Sequence, residues 1–94
     1  MNPVPLIKVY TVEVKHIINM KVDVNKFTSE FMQEFRDNFY YFTTVEEHVE
    51  HLAQLYARGH IQFNGDFVEG YGRLEGIEFY KMDWDTEIID KEEM

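Results

Sequence analysis

Two stretches of period-two alternation, one near each end of the 94-residue chain, most constrain what it can fold into. In residues 6–24 the even positions Tyr10, Val12, Val14, Ile18, Met20, Val22 and Val24 are apolar, interrupted by Lys8 and His16. The odd positions Thr11, Glu13, Lys15, Asn19, Lys21 and Asp23 are polar, interrupted by Ile17. Side chains alternate across a strand, so this is a long half-buried strand with no Gly or Pro to divide it. The falter at His16-Ile17-Ile18 marks a candidate β-bulge. Residues 77–90 alternate again, with Tyr80, Met82, Trp84, Thr86 and Ile88 on one face. Lys81, Asp83, Asp85 and Glu87 occupy the other.

Between the strands the period changes to that of a helix. Phe27, Phe31, Met32, Phe35 and Phe39 form one stripe, with Glu30, Gln33, Glu34 and Asp37 facing away. Thr28 is the predicted N-cap, Phe27 and Met32 a hydrophobic staple, and Asn38 the end. A second helix opens at Thr43 or Thr44, each followed three residues later by Glu46 or Glu47 in a capping box. Val45, Val49, Leu52 and Tyr56 mark its buried seam, and Gly59 its stop. Residues 60–76, with Gly65, Gly70, Gly72 and Gly76, read as loop with room for one short turn of helix.

The predicted fold is therefore α+β, in the order β-α-α-β, a single domain over residues 1–94 with flexible ends at 1–5 and 91–94. Two long antiparallel strands lay their apolar faces under the two helices. Phe27, Phe31, Phe35, Phe39, Tyr56, Tyr80 and Trp84 fall on predicted buried faces. A two-stranded sheet leaves two open edges, which predicts a homodimer, by edge pairing or by helix packing.

Charge enters through its placement. Nine basic against eighteen acidic residues give −9, which disfavours direct binding to nucleic acid or an anionic membrane. Residues 1–26 hold four lysines against two acids, whereas residues 83–94 hold six acids and one lysine. Paired strands would set Glu13, Lys15 and Lys21 opposite Lys81, Asp83, Asp85 and Glu87, each opposite-charge pair contributing roughly 0.2–1 kcal/mol. No cysteine is present, so thiolate metal sites and thiol nucleophiles are excluded.

Three clusters merit weighing as sites. Glu47, His48 and His51 share one side of the second helix and carry zinc- or iron-type ligands. Their spacing fits neither the His-Glu-x-x-His protease pattern nor the Glu-x-x-His of di-iron bundles, and no second segment adds a ligand. A solvated helix edge, with histidines flanking the core, accounts for the same residues. The stretch Gly65-Asp66-Phe67-Val68-Glu69-Gly70-Tyr71-Gly72 lacks the Gly-Lys-Ser/Thr of a phosphate loop. Its glycines allow tight turns, and Phe67, Glu69, Tyr71 and Arg73 are its candidate recognition residues. Asp83, Asp85 and Glu87 form an acidic row at strand spacing, suited to a basic groove and equally to a solvated face.

The run Asp23-Val24-Asn25-Lys26-Phe27-Thr28-Ser29-Glu30-Phe31-Met32-Gln33-Glu34-Phe35-Arg36, the helix Val45-Glu46-Glu47-His48-Val49-Glu50-His51-Leu52-Ala53-Gln54-Leu55-Tyr56-Ala57-Arg58-Gly59 and the loop Asp66-Phe67-Val68-Glu69-Gly70-Tyr71-Gly72 together resemble a family of short phage and prophage proteins without assigned function. The resemblance implies a small virus-encoded protein acting in the cytoplasm of a bacterial host, and it supplies no catalytic residue. The expected function is non-enzymatic and cofactor-free: binding of a host bacterial protein, as a host-takeover or counter-defence inhibitor, through the acidic face or the 66–73 loop. One alternative is a nucleotide-sized ligand held at a dimer interface by Tyr40, Tyr41, Tyr71 and Trp84. A remoter one is a metal-dependent enzyme using Glu47, His48 and His51.

Overall fold

A computed structural model describes residues 4–93. Strand β1, Lys8–Val22, pairs antiparallel with β4, Ile77–Glu93. Helices α1, Ser29–Asn38, and α2, Val45–Ala57, lie between them in the chain, followed by a miniature hairpin of β2, Phe67–Val68, and β3, Gly72–Arg73. The fold is α+β, in the predicted strand-helix-helix-strand order. The hairpin stands where sequence periodicity showed only loop, because two-residue strands are too short to display an alternation. Residues 91–93, assigned to a flexible end from sequence, pair with Tyr10, Val9 and Lys8; residues 1–3 and 94 lie outside the described part. No helix among the described residues is long and apolar enough to cross a membrane.

Local chemistry fixes both helices. The Thr28 hydroxyl accepts from the Phe31 N–H at 3.1 Å and starts α1. Thr44 and Glu47 close a reciprocal capping box on α2. At its other end Gly59 takes φ +80°, and the His60 and Gly59 N–H groups reach the carbonyls of Leu55 and Tyr56. That paired return is a Schellman stop, which needs a left-handed residue where only glycine is free of strain.

Strand length then decides the shape. A 15-residue strand extends about 50 Å, whereas helices of 10 and 13 residues reach only about 15 and 20 Å. The helices therefore cover one end of the sheet. Ile18, Met20 and Val22 of β1, with Ile77 and Phe79 of β4, join Phe27, Met32, Phe35, Leu52, Ile61, Tyr71 and Leu74 in the core. The remainder of the β1–β4 pair projects as a ribbon, making the molecule 69 Å long but only 27 and 22 Å across. Its radius of gyration is 19.5 Å, against about 12 Å for a compact domain of this length.

This geometry corrects several expectations. Trp84 is 62% exposed, and Tyr80 and Phe39 are also exposed rather than core residues. The bulges lie on β4, not at His16-Ile17-Ile18: the register shifts between Thr11 and Val12 and between Asn19 and Met20, leaving Ile89 and Tyr80 as the extra residues. Each extra residue switches the parity of β4, so Ile77 and Phe79 share a face with Met82, Trp84, Thr86 and Ile88. The apolar doublets Phe79-Tyr80 and Ile88-Ile89 are the sequence trace of these switches. Ile17 simply sits on the polar face, exposed. Lys15 does stand opposite Asp85 and Lys21 opposite Glu78, but Glu13 faces Glu87. The ion pairs Lys15–Glu13, at 2.9 Å, and Lys81–Asp83, at 3.4 Å, run along strands rather than across them.

Candidate functional site

The Glu47, His48 and His51 cluster is dispersed by its own local bonds. Glu47 turns back to the helix start, where its carboxylate accepts from the Thr43 and Thr44 N–H groups at 3.0 and 3.2 Å and from both hydroxyls. These bonds, led by those of Thr43, hold its pKa below the usual carboxylate value. His48 points the other way, into the core, and is 0% exposed, which corrects the expected solvated helix edge. His51 is half-buried against the rings of Tyr40 and Phe42. Among the described residues no group of three His, Asp or Glu side chains is placed to hold a metal ion.

His48 instead sits in a cage of rings. Phe35, Phe42 and Tyr71 meet its imidazole edge-on, with centroids at 4.6, 5.0 and 5.5 Å, and Phe27 and Phe31 complete the wall. Its Nδ1 and the Tyr71 hydroxyl share a hydrogen bond of 2.7 Å, while Nε2 has no polar partner among the described residues. Burial, and then the nearby His51, lower the His48 pKa, so the neutral imidazole is the form held in the core. Burial likewise raises the Tyr71 phenol far above its ordinary value. The pair is a buried core contact, bonded on the Nδ1 side only, that joins α2 to the hairpin.

The hairpin is what delivers Tyr71 to this cage. The Tyr71 N–H closes a turn onto the Val68 carbonyl at 2.9 Å, with Gly70 at φ +90°, the value a type II turn demands of its third residue. A Cβ on Gly70 would stand 2.8 Å from the Phe35 ring. Gly70→Ala therefore meets both backbone strain and a buried ring, and should destabilise the protein by about 1–3 kcal/mol. Urea denaturation is the check; a loss below about 0.5 kcal/mol would contradict the tight turn.

Of the four loop residues singled out from sequence, Phe67, Glu69 and Arg73 are exposed and Tyr71 is buried, so Tyr71 is corrected from recognition to core. Phe67 overhangs a cleft of about 410 Å³ that Tyr40, His51 and His60 also line. Tyr71 borders a different cleft and Trp84 lies on the ribbon, so the four rings of the ligand hypothesis do not converge within one protomer.

The ribbon presents an exposed apolar surface that strand periodicity alone does not mark out. Beyond the helices one face carries Tyr10, Val12, Val14, Met82, Trp84 and Ile88, all exposed. Cross-strand partners share a face, and Val12–Ile88, His16–Trp84 and Ile18–Met82 are such pairs, so the strip runs unbroken into the core. The rings of His16 and Trp84 meet at a tilt of 42°, with centroids 4.1 Å apart. The opposite face carries Asp83, Asp85 and Glu87, all exposed. Comparing expected strand and helix lengths would have located the strip from sequence, since some 35 Å of helix cannot cover 50 Å of paired strands.

Compared with known proteins, the chain matches no family model, no curated protein and no solved structure.

Proposed function

We propose that the protein is a non-enzymatic binding module whose ribbon docks on another protein, the phage resemblance pointing to a host bacterial protein in the cytoplasm, and inhibits it. One observation carries this reading: the ribbon leaves an apolar strip, centred on Trp84 and Val14, exposed among the described residues. Monomeric proteins rarely expose contiguous apolar surface on this scale unless something binds there. Trp and Tyr are the residue types that most often anchor interfaces, and Tyr10 and Trp84 stand on this strip. The acids Asp83, Asp85 and Glu87 on the reverse face favour a partner whose apolar groove is rimmed by basic residues, through steering and rejection of wrong partners.

A photo-crosslinking amino acid at position 84, compared with one at Glu46 on the exposed side of α2, tests the reading in bacterial cells. One host protein should crosslink from position 84 and not from position 46. Trp84→Asp should weaken binding of that purified protein at least about 30-fold, the loss expected of an interface anchor. Crosslinks to a second copy alone, or none from position 84, would overturn it.

A further inference from the structure

We infer that a second copy of this chain pairs with the first along the open edge of β1, antiparallel, about a two-fold axis at Val14. The inference concerns the edge of the ribbon and does not rest on the docking proposed for its face. Area gives the first reason. The chain exposes 7394 Å², about 1,700 Å² more than a compact monomer of its mass. A standard interface removes about 800 Å² from each partner, so the surplus is sufficient. An exposed two-stranded sheet is moreover marginal by itself in water, and further strands are the usual remedy.

The two edges are not equivalent. Both extra residues, Tyr80 and Ile89, belong to β4, and bulges are a standard device for blunting an edge strand. Strand β1 has no extra residue between Lys8 and Val22, so its edge is regular. Two β4 edges side by side would also bring together Asp83, Asp85 and Glu87 of each copy, and like charges across a pair are unfavourable. A β4-to-β1 contact would satisfy charge but does not close on itself and leads to filaments, whereas β1 on β1 closes as a dimer.

Charge and overlap together select the register, since an axis at Ile17 would also pair opposite charges, Glu13 with the partner's Lys21, but would overlap less of β1 than one at Val14. With the axis at Val14, Glu13 lies opposite the partner's Lys15, and Lys15 opposite the partner's Glu13. An axis at Glu13 or at Lys15 sets like charges against each other. One at Val12 leaves Glu13 facing Thr11 of the partner subunit and Lys15 facing Val9 of the partner subunit, with neither meeting an opposite charge across the axis. The Val14 register also places Val12 opposite the partner's His16 and Tyr10 opposite the partner's Ile18. Both apolar strips then continue on the same side of one four-stranded sheet, with the acidic β4 strands outermost.

Sedimentation of the intact chain tests this directly, and a dimer is the expected species. Glu13→Lys and Lys15→Glu each create two like-charge pairs across the axis, and each should weaken the dimer roughly 10- to 100-fold. Glu13 and Lys15 have side chains 41% and 64% exposed, so circular dichroism should report an intact fold for both variants. Mixed in equal amounts, the two variants should form a heterodimer, visible by native mass spectrometry, although neither has recovered its own within-strand ion pair. A monomeric parent chain, a variant that dimerises like the parent, or a mixture that stays monomeric would each overturn the inference. Weakened binding of the purified host protein by Trp84→Asp with the dimer intact would separate this edge from the docking face.

Discussion

Replacing Phe35 by alanine should cost about 3–5 kcal/mol, a large part of the roughly 5–14 kcal/mol that stabilises a chain of 94 residues. Phe35 is only 2% exposed, and its ring meets those of Phe31, Phe39, Phe42, His48 and Tyr71. These neighbours come from α1, the connector after it, α2 and the hairpin, so one ring holds four segments together. Its removal leaves a cavity that no single segment can collapse to fill, because each neighbour is tied elsewhere. The close approach of Gly70 also loses the surface it rests on. Thermal unfolding should shift down by at least about 12 °C. Phe31→Ala, at a half-buried position in the same helix, should cost clearly less. Equal losses at the two positions would show that the cage around His48 is not the centre of the core.

Much of this arrangement was legible in the residues. Thr28, Thr44, Glu47 and Gly59 carry stereochemistry that acts within a few positions, and each does what its spacing implied. The alternation of β1 likewise named the correct inner face for Ile18, Met20 and Val22. What periodicity could not supply was distance from the body. Val14 and Met20 look alike in the pattern, yet one is exposed and the other packs on the core. Tyr80 was misplaced because one extra residue inverts the facing of everything beyond it, and that choice depends on the partner strand. His48 was misread for a similar reason. A histidine between acids looks solvated until Tyr71, 23 residues away, provides it with a hydrogen bond inside the core.

Acid should unfold the protein earlier than its carboxylates alone would require. In the unfolded chain His48 takes up a proton near pH 6.5, whereas the folded core, which lowers its pKa, refuses that proton. The unfolded state therefore binds more protons as the pH falls, and stability declines below about pH 6.5 until the folded pKa is reached. Above the unfolded value the full stability is present. One histidine contributes a slope of up to about 1.4 kcal/mol per pH unit within that window. The groups facing it electrostatically are His51 and Arg36, which oppose a further positive charge, and Glu47, which favours one but is engaged at the helix cap. His51, also lowered by burial, adds a change of the same sign. Glu47 and Asp66, held low by backbone N–H groups, extend the loss below about pH 4.5. Urea denaturation of the parent and of His48→Phe between pH 7.5 and pH 5 isolates the effect. The variant should lose the part of the slope belonging to one proton, whatever its absolute stability. Identical slopes would mean that His48 titrates freely in the folded state.

The entire helical body separates β1 from β4 in the chain, and this orders the assembly of the molecule. Val22 and Ile77 form the innermost pair of the ribbon, beside the hydrogen bond of 2.7 Å from the Asp23 N–H to the Gly76 carbonyl. Bringing those residues together means closing the longest loop in the fold, and that entropy is lost once, when α1, α2 and the hairpin condense. Every later pair toward Lys8 and Glu93 adds almost no closure cost. Loop entropy therefore favours pairing that proceeds outward from this base, past the extra residues Tyr80 and Ile89. In the order of the chain β4 follows α1, α2 and the hairpin, so the ribbon and its apolar strip can be completed only after every part of the body is present.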